Sequence, residues 1–74
     1  MELNTETAAA AGRRYAEIDA AEPGPLDAIS AFGEWEEVEL TQEDADAAGA
    51  LYSAILVAFT SAYKATVAAL AGVV

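Results

Sequence analysis

This chain of 74 residues has no cysteine and no histidine, so it cannot form a disulfide and lacks the side chains that most often bind zinc or act as general bases. Its formal net charge of −10, from 13 acidic and three basic residues, disfavours direct binding to nucleic acid and to anionic lipid surfaces. Hydrophobic residues make up 55% of it, too many for an acidic disordered tail, so we expect one small folded domain over residues 1–74.

The first predicted element is a helix over residues 5–22. Asn4 or Thr5 can cap its amino terminus, and a run of four alanines follows soon after. Gly12, in its middle, weakens an isolated helix by ~1 kcal/mol relative to alanine. Apolar residues recur every three or four positions and form one narrow stripe: Ala8, Ala11, Tyr15 and Ile18.

A second, short helix is predicted over residues 25–33. Pro23 and Pro25 end the first helix, because each disfavours helical geometry in the residue before it. Pro25 also suits the first position of the new helix, and Gly33 is a natural stop. The apolar face of this helix consists of Leu26, Ile29 and Phe32.

Residues 34–40 are predicted to form an acidic connector, and their pattern leaves its conformation open. Val38 and Leu40 alternate as in a short strand, whereas Trp35 and Val38 would also suit a helical turn. The connector and the start of the next element carry a predicted acidic surface of seven carboxylates: Glu34, Glu36, Glu37, Glu39, Glu43, Asp44 and Asp46. Solubility for an otherwise apolar chain accounts for them, and the alternative is a DNA mimic or inhibitor that binds a basic protein surface.

The last predicted element is a long apolar helix over residues 41–74. Thr41 is a good N-cap, and Asp44 three residues later approximates a capping box. No proline interrupts the pattern, and Gly49 and Gly72 are its weak points. A helix of this length would be a rod of ~50 Å.

This long helix is apolar nearly all round, so it must be buried nearly all round. A stripe of large side chains lies beside a stripe of alanines at a strict spacing of four, and small residues let helix axes approach closely. The two preceding helices are too short to cover it, so we expect other copies or other subunits to do so. The predicted interaction face consists of Ala50, Leu51, Ala54, Ile55, Ala58, Phe59, Ala62, Tyr63, Val67 and Leu70.

Lys64 is the single charge after Asp46. In an assembly, we expect it to form an intersubunit ion pair with a carboxylate of the Glu34–Asp46 run in a neighbouring chain. The alternative is a membrane span over residues 47–74, which is long enough. A lysine near its middle would cost ~2.5–3.5 kcal/mol on insertion scales, and no Lys or Arg flanks either end.

We expect no enzymatic activity, no cofactor and no metal site. The serines have no histidine to activate them, and no glycine-rich phosphate loop is present. The sequence Asp44-Ala-Asp46-Ala-Ala-Gly49 has the start of a calcium loop, but Ala48 and Ile55 occupy positions where oxygen ligands are needed.

These patterns predict an all-α protein, a helical hairpin or small bundle completed by oligomerisation. We expect a non-enzymatic structural subunit of a multi-copy complex, such as a phage particle component, whose partners are itself or other protein subunits. The alternatives are a single-pass membrane subunit with an acidic amino-terminal domain, an acidic inhibitor, and a self-contained three-helix monomer. Localisation stays open: a soluble assembly or virion is favoured over a membrane, and the acidic amino terminus does not predict an ordinary secretory signal.

Overall fold

The computed structural model describes residues 3–21 and 27–72, and these residues form helices and short turns with no strand among them. The predicted all-α fold is therefore confirmed. A single 3-10 turn, Gly49–Leu51, separates the last two helices. The four α-helices are α1 (Thr5–Ala20), α2 (Ala28–Glu39), α3 (Gln42–Ala48) and α4 (Tyr52–Gly72).

Helix α1 begins where the sequence predicts. Asn4 is the N-cap, and its side chain accepts a hydrogen bond from the Thr7 amide at 2.9 Å. The Thr7 hydroxyl accepts one from the Asn4 amide at 3.0 Å, which completes a capping box. The helix ends at Ala20, shortly before the predicted limit at Glu22, which lies outside the described residues.

Of the two conformations that the sequence left open for residues 34–40, the helical one is found: residues 34–39 belong to α2 and do not form a separate connector. Gly33 lies inside this helix instead of ending it. Phe32 and Trp35 are both buried on the inner side of α2, and burying them stabilises the helical conformation through the acidic stretch. Asp27 caps α2, and the predicted start at Pro25 lies outside the described residues.

The long carboxy-terminal helix that the sequence predicts is present over Gln42–Gly72, but it is interrupted at Gly49. Its φ angle of 49° lies in the region that favours glycine, and α3 ends just before it. The predicted start was right: the Thr41 hydroxyl accepts a hydrogen bond from the Asp44 amide, and the Asp44 carboxylate accepts one from the Thr41 amide. Helix α4 is thus 21 residues long, or ~31 Å, instead of ~50 Å.

Helices α1, α2 and α4 form a three-helix bundle in which α2 runs antiparallel to the other two. Arg14 in α1 contacts Glu39 at the end of α2, and Tyr52 at the start of α4 contacts Glu36. At the opposite end of the bundle, Tyr63 in the second half of α4 contacts Asp19 near the end of α1. The short helix α3 connects α2 to α4 at the end of the bundle where α4 begins.

Phe59 is the centre of the core, and none of its side chain is exposed. Its ring centroid lies 5.2 Å from that of Trp35 and 5.3 Å from that of Phe32, which are distances of aromatic packing. Tyr15 and Tyr63 complete the ring cluster at 6.0 and 6.4 Å. These aromatic side chains supply most of the buried apolar area, because half of the buried hydrophobic residues are alanine.

Small residues on α1 allow its backbone to approach α4 closely. Ala8, Gly12 and Ala16 recur at a spacing of four, and all three are buried. A Cβ atom placed on Gly12 would lie 2.3 Å from the Phe59 carbonyl oxygen and 3.2 Å from the Tyr63 amide nitrogen. The glycine that weakens α1 as an isolated helix is therefore the residue that lets the two helices pack.

Candidate interaction surface on the last helix

The bundle divides the predicted interaction face, because α1 and α2 cover one side of α4. Ile55, Phe59 and Tyr63 are each at most 1% exposed and form the chain's own core. Val67 is partly buried against that core. These four residues contact their own chain, so in this fold a second subunit could reach them only if the bundle opened.

The remaining residues of the predicted face differ in exposure. Ala50 and Ala54 are exposed, whereas Ala58 and Ala62 are half-buried at the edge of the bundle. Two leucines are also largely exposed, Leu51 by 56% and Leu70 by 44%. The alanine stripe is thus open to other molecules along its first half.

The side of α4 that points away from α1 and α2 is the candidate interaction surface, and we call it the outer face. Every residue in it is exposed, and Val57, the largest apolar side chain, is 61% exposed. Val57 was not among the residues of the interaction face that the sequence predicted. The outer face consists of Ala50 in the preceding 3-10 turn and, on α4, of Ser53, Ala54, Val57, Ser61, Lys64, Ala65 and Ala68.

Thr60, a polar residue of α4 beside the outer face, is buried. Its hydroxyl donates a hydrogen bond to the Leu56 carbonyl within the same helix at 2.8 Å, so it needs no partner outside the helix. The spacing of 50, 53, 57, 61, 64 and 68 is helical and visible in the sequence. Several neighbouring stripes of α4 have the same period, so the pattern alone could not identify the exposed one.

Lys64 is exposed at the border between the outer face and α2. It lines a cleft together with Asp27, Ile29 and Val67. Among the described residues, no carboxylate lies within ion-pair distance of its ammonium group. Hydrogen bonds from Ser30 and from the Ile29 amide lower the pKa of Asp27, with a smaller contribution from the positive charge of Lys64.

Two glutamates of the predicted acidic surface bind tyrosines inside the bundle. The Tyr15 hydroxyl donates a hydrogen bond to Glu39 at 3.0 Å, and Arg14 donates another to the same carboxylate oxygen at 2.6 Å. The Tyr52 hydroxyl donates to Glu36. Both contacts join α2 to another helix, so these glutamates contribute to the fold as well as to the surface charge.

A third tyrosine–carboxylate pair lies at the other end of the bundle, where the Tyr63 hydroxyl donates a hydrogen bond to Asp19 at 2.6 Å. Each pair raises the pKa of its tyrosine, because the neighbouring carboxylate and burial both disfavour the phenolate. The hydrogen bond to Glu36 is the main cause for Tyr52, whose pKa rises to about 12. Burial is the main cause for Tyr15 and Tyr63, whose pKa values are also raised.

The other five residues of the predicted acidic surface are on α2 and α3. Asp44 is the side-chain partner of the Thr41 cap, and these hydrogen bonds lower its pKa. Asp46 accepts a hydrogen bond from Gln42 one turn away. Glu34, Glu37 and Glu43 are exposed, with no hydrogen bond or ion pair to another described side chain. In the described part of the chain, no three acidic residues are grouped as a metal ion would require.

Residues Gln42–Gly72 are long and apolar enough to cross a membrane, by length and composition alone. Within this fold, 17% of the most apolar 18-residue window of that stretch is buried. Comparison with known proteins adds no information about function, because no family model, curated protein or solved structure matches this chain.

Proposed function

We propose that this chain is a non-enzymatic structural subunit of a multi-copy complex and that it assembles through the outer face of α4. A particle built from many copies, such as a phage virion, is the setting that suits a small acidic helical chain of this kind. The observation that carries the proposal is the outer face itself. Lys64 is its single charged residue, and Val57 at its centre is 61% exposed.

An uncovered apolar helix face is a favourable place for another helix to bind. Burial of apolar surface stabilises an interface by ~25 cal/mol per Å², and small residues let two helix axes approach to ~8 Å. The exposed sides of α1 and α2 are more mixed. Three exposed apolar side chains, Ile18, Ile29 and Val38, lie among charged ones that keep those surfaces hydrated: Arg13, Glu17, Glu34 and Glu37.

The alternative of a membrane span requires a different arrangement of the helices. Helices α1 and α2 pack on α4 from Ile55 to Tyr63, so a bilayer around that part of α4 would also surround the charged residues of both neighbours. The remaining part of α4, residues 64–72, has nine residues, whereas a span needs ~20. Membrane insertion would therefore have to unpack the bundle.

The alternative of a DNA mimic or an acidic inhibitor has less support from the carboxylates. Such a protein needs a row of free carboxylates at the spacing of phosphates. Four of the seven acidic residues are instead engaged in hydrogen bonds within the chain: Glu36, Glu39, Asp44 and Asp46. The three that remain, Glu34 and Glu37 on α2 and Glu43 on α3, are too few to resemble the row of phosphates along a DNA strand.

The test compares two equally disruptive surface substitutions by light scattering in detergent-free buffer over a range of protein concentrations. Val57→Glu places a charge in the centre of the outer face. Val38→Glu is the matched control, because Val38 is a valine on α2 that is exposed to a similar degree, 69% against 61%. We expect the unmodified chain to be oligomeric, Val57→Glu to be monomeric, and Val38→Glu to remain oligomeric.

Circular dichroism should confirm that both variants keep their helix content. A monomeric mass for the unmodified chain at every concentration would overturn the proposal. If both variants reduced the mass of the oligomer equally, the assembly surface would not be the outer face. Insolubility that detergent relieves would instead favour the membrane alternative.

A further inference from the structure

We infer that the outer face binds a second copy of this chain, with the two α4 helices antiparallel and the two-fold axis at Val57. This inference rests on the proposed function and adds the partner, the orientation and the register. It is carried by the distribution of charge along α4 and by the position of the largest exposed apolar side chain on the outer face.

The orientation follows from the charges at the two ends of the outer face. One end, at Ala50, follows the acidic helix α3, where Glu43 and Asp46 are exposed. Lys64 lies 14 residues after Ala50, towards the other end. A parallel pair would place α3 beside α3 and Lys64 beside Lys64, so that like charges face each other. An antiparallel pair places each Lys64 near the partner's acidic end, and the Coulomb energy is then favourable.

The wider charge distribution favours the same orientation. Glu36, Glu37 and Glu39 at the end of α2 lie at the same end of the bundle as α3. In a parallel pair, all these carboxylates would lie near their copies in the partner. Salt at ~0.1 M has a Debye length of ~10 Å, so it would screen the repulsion between close carboxylates only partly. At the opposite end, Asp19 and Asp27 are both held in hydrogen bonds within their own chain.

The register of the two helices follows from the positions of Ala50 and Lys64. A two-fold axis midway between residues 50 and 64 passes through residue 57, so Lys64 lies opposite the partner's Ala50 just after α3. Val57 then packs against the partner's Val57 at the centre of the interface. Ser53 faces Ser61, and these small residues let the two helices come close on either side of the valine pair.

Lys64 is available for this contact. Its ammonium group makes no ion pair within the described residues, and the nearby Asp27 already accepts hydrogen bonds from Ser30 and the Ile29 amide. The lysine stem is long enough to follow the alanine surface while its charged end reaches the partner's α3. The partner's Asp46 and Glu43 are exposed and can accept it.

The orientation can be tested by disulfide trapping, because the chain has no cysteine of its own. Single variants Ser53→Cys, Val57→Cys and Ser61→Cys are oxidised separately, and Ser53→Cys is also mixed with Ser61→Cys. We expect Val57→Cys to cross-link alone. Ser53→Cys and Ser61→Cys should cross-link efficiently only when mixed, because two copies of residue 53 are ~12 Å apart along the axis of an antiparallel pair. Val38→Cys on α2 is the control for random collision.

Efficient cross-linking of Ser53→Cys with itself and of Ser61→Cys with itself would mean a parallel pair and overturn the inference, while the proposed function would stand. No cross-link at any of the three positions in a chain that light scattering finds oligomeric would also overturn it. A monomeric chain would remove the proposed function together with the inference.

A second measurement tests the role of Lys64. We expect Lys64→Gln to raise the dissociation constant of the dimer by up to about fivefold at low salt and to reduce the sensitivity of that constant to salt. A dissociation constant that responds to salt in the same way in both proteins would contradict the charge argument for the orientation.

Discussion

Gly12 shows how a residue that is unfavourable in an isolated helix can be required by the fold. Its hydrogen atom occupies the position where any larger residue would place a Cβ atom, 2.3 Å from the Phe59 carbonyl oxygen. That oxygen belongs to the backbone of α4, so it cannot rotate away as a flexible side chain would. Gly33 is also helical, but nothing lies within 4 Å of the corresponding Cβ position.

We therefore expect alanine substitutions at these two glycines to have opposite signs. Gly12→Ala should lower the free energy of unfolding by ~1–3 kcal/mol, because separating the helices costs more than the gain in helix propensity. Gly33→Ala should raise it by ~0.5–1 kcal/mol, because only the propensity changes. Urea unfolding followed by circular dichroism measures both. If Gly12→Ala were as stable as Gly33→Ala, α1 and α4 would not pack as described.

At the scale of the element, the turn at Gly49 separates the acidic helix α3 from the apolar helix α4. Helix α3 begins with the Thr41–Asp44 capping box and ends after seven residues. Ala48, just before the turn, is buried in the core, and α4 begins at Tyr52 after it.

Gly49→Ala should destabilise the protein, because its φ angle of 49° combined with a ψ angle of −120° is a conformation that alanine rarely adopts. The expected cost is of order 1–3 kcal/mol in the free energy of unfolding. Gly72→Ala is the matched control, since Gly72 is helical and has open space around it. Thermal melts followed by circular dichroism measure the difference. A more stable Gly49→Ala variant would indicate that α3 and α4 form one continuous helix.

For the whole molecule, three tyrosine–carboxylate hydrogen bonds tie the bundle together, each between two different helices. Tyr15 joins α1 to α2, Tyr52 joins α4 to α2, and Tyr63 joins α4 to α1. All the tyrosines of the chain are used in this way. In a chain without disulfides and with a core rich in alanine, these polar contacts add to a modest hydrophobic stabilisation.

These pairs predict a loss of stability at alkaline pH. Folding raises the pKa of each tyrosine above its unfolded value of about 10. Above that pH the folded state holds more protons than the unfolded state, so the free energy of unfolding falls as pH rises. The stabilisation should be complete below about pH 10, and the contribution of Tyr52 should be lost as pH rises through about 12, its pKa in the folded state.

Urea unfolding at a series of pH values tests this prediction, with Tyr52→Phe as the comparison. The variant should be less stable at neutral pH, because it lacks the hydrogen bond to Glu36. Its free energy of unfolding should also depend less on pH in the alkaline range, because phenylalanine does not ionise. The same alkaline slope in both proteins would show that Tyr52 is not held by Glu36.

Local features of the chain could be read from the sequence because they depend on neighbouring residues. The helical class follows from the alanine content and the three- and four-residue spacing, and the cap at Thr41 needs only Asp44 nearby. The start of α1 is equally local. The apolar character of α4 and the isolation of Lys64 within it are also properties of the sequence itself.

Features that depend on which residues meet across the bundle were decided by tertiary structure. Residues 34–39 are helical because Trp35 is buried against Phe59, which is 24 residues away in the sequence. The exposed stripe of α4 is the one with Val57, because α1 and α2 cover the stripes with Phe59 and Tyr63. The sequence determines that α4 has apolar stripes on several sides, and only the packing of the other two helices determines which of them remains exposed.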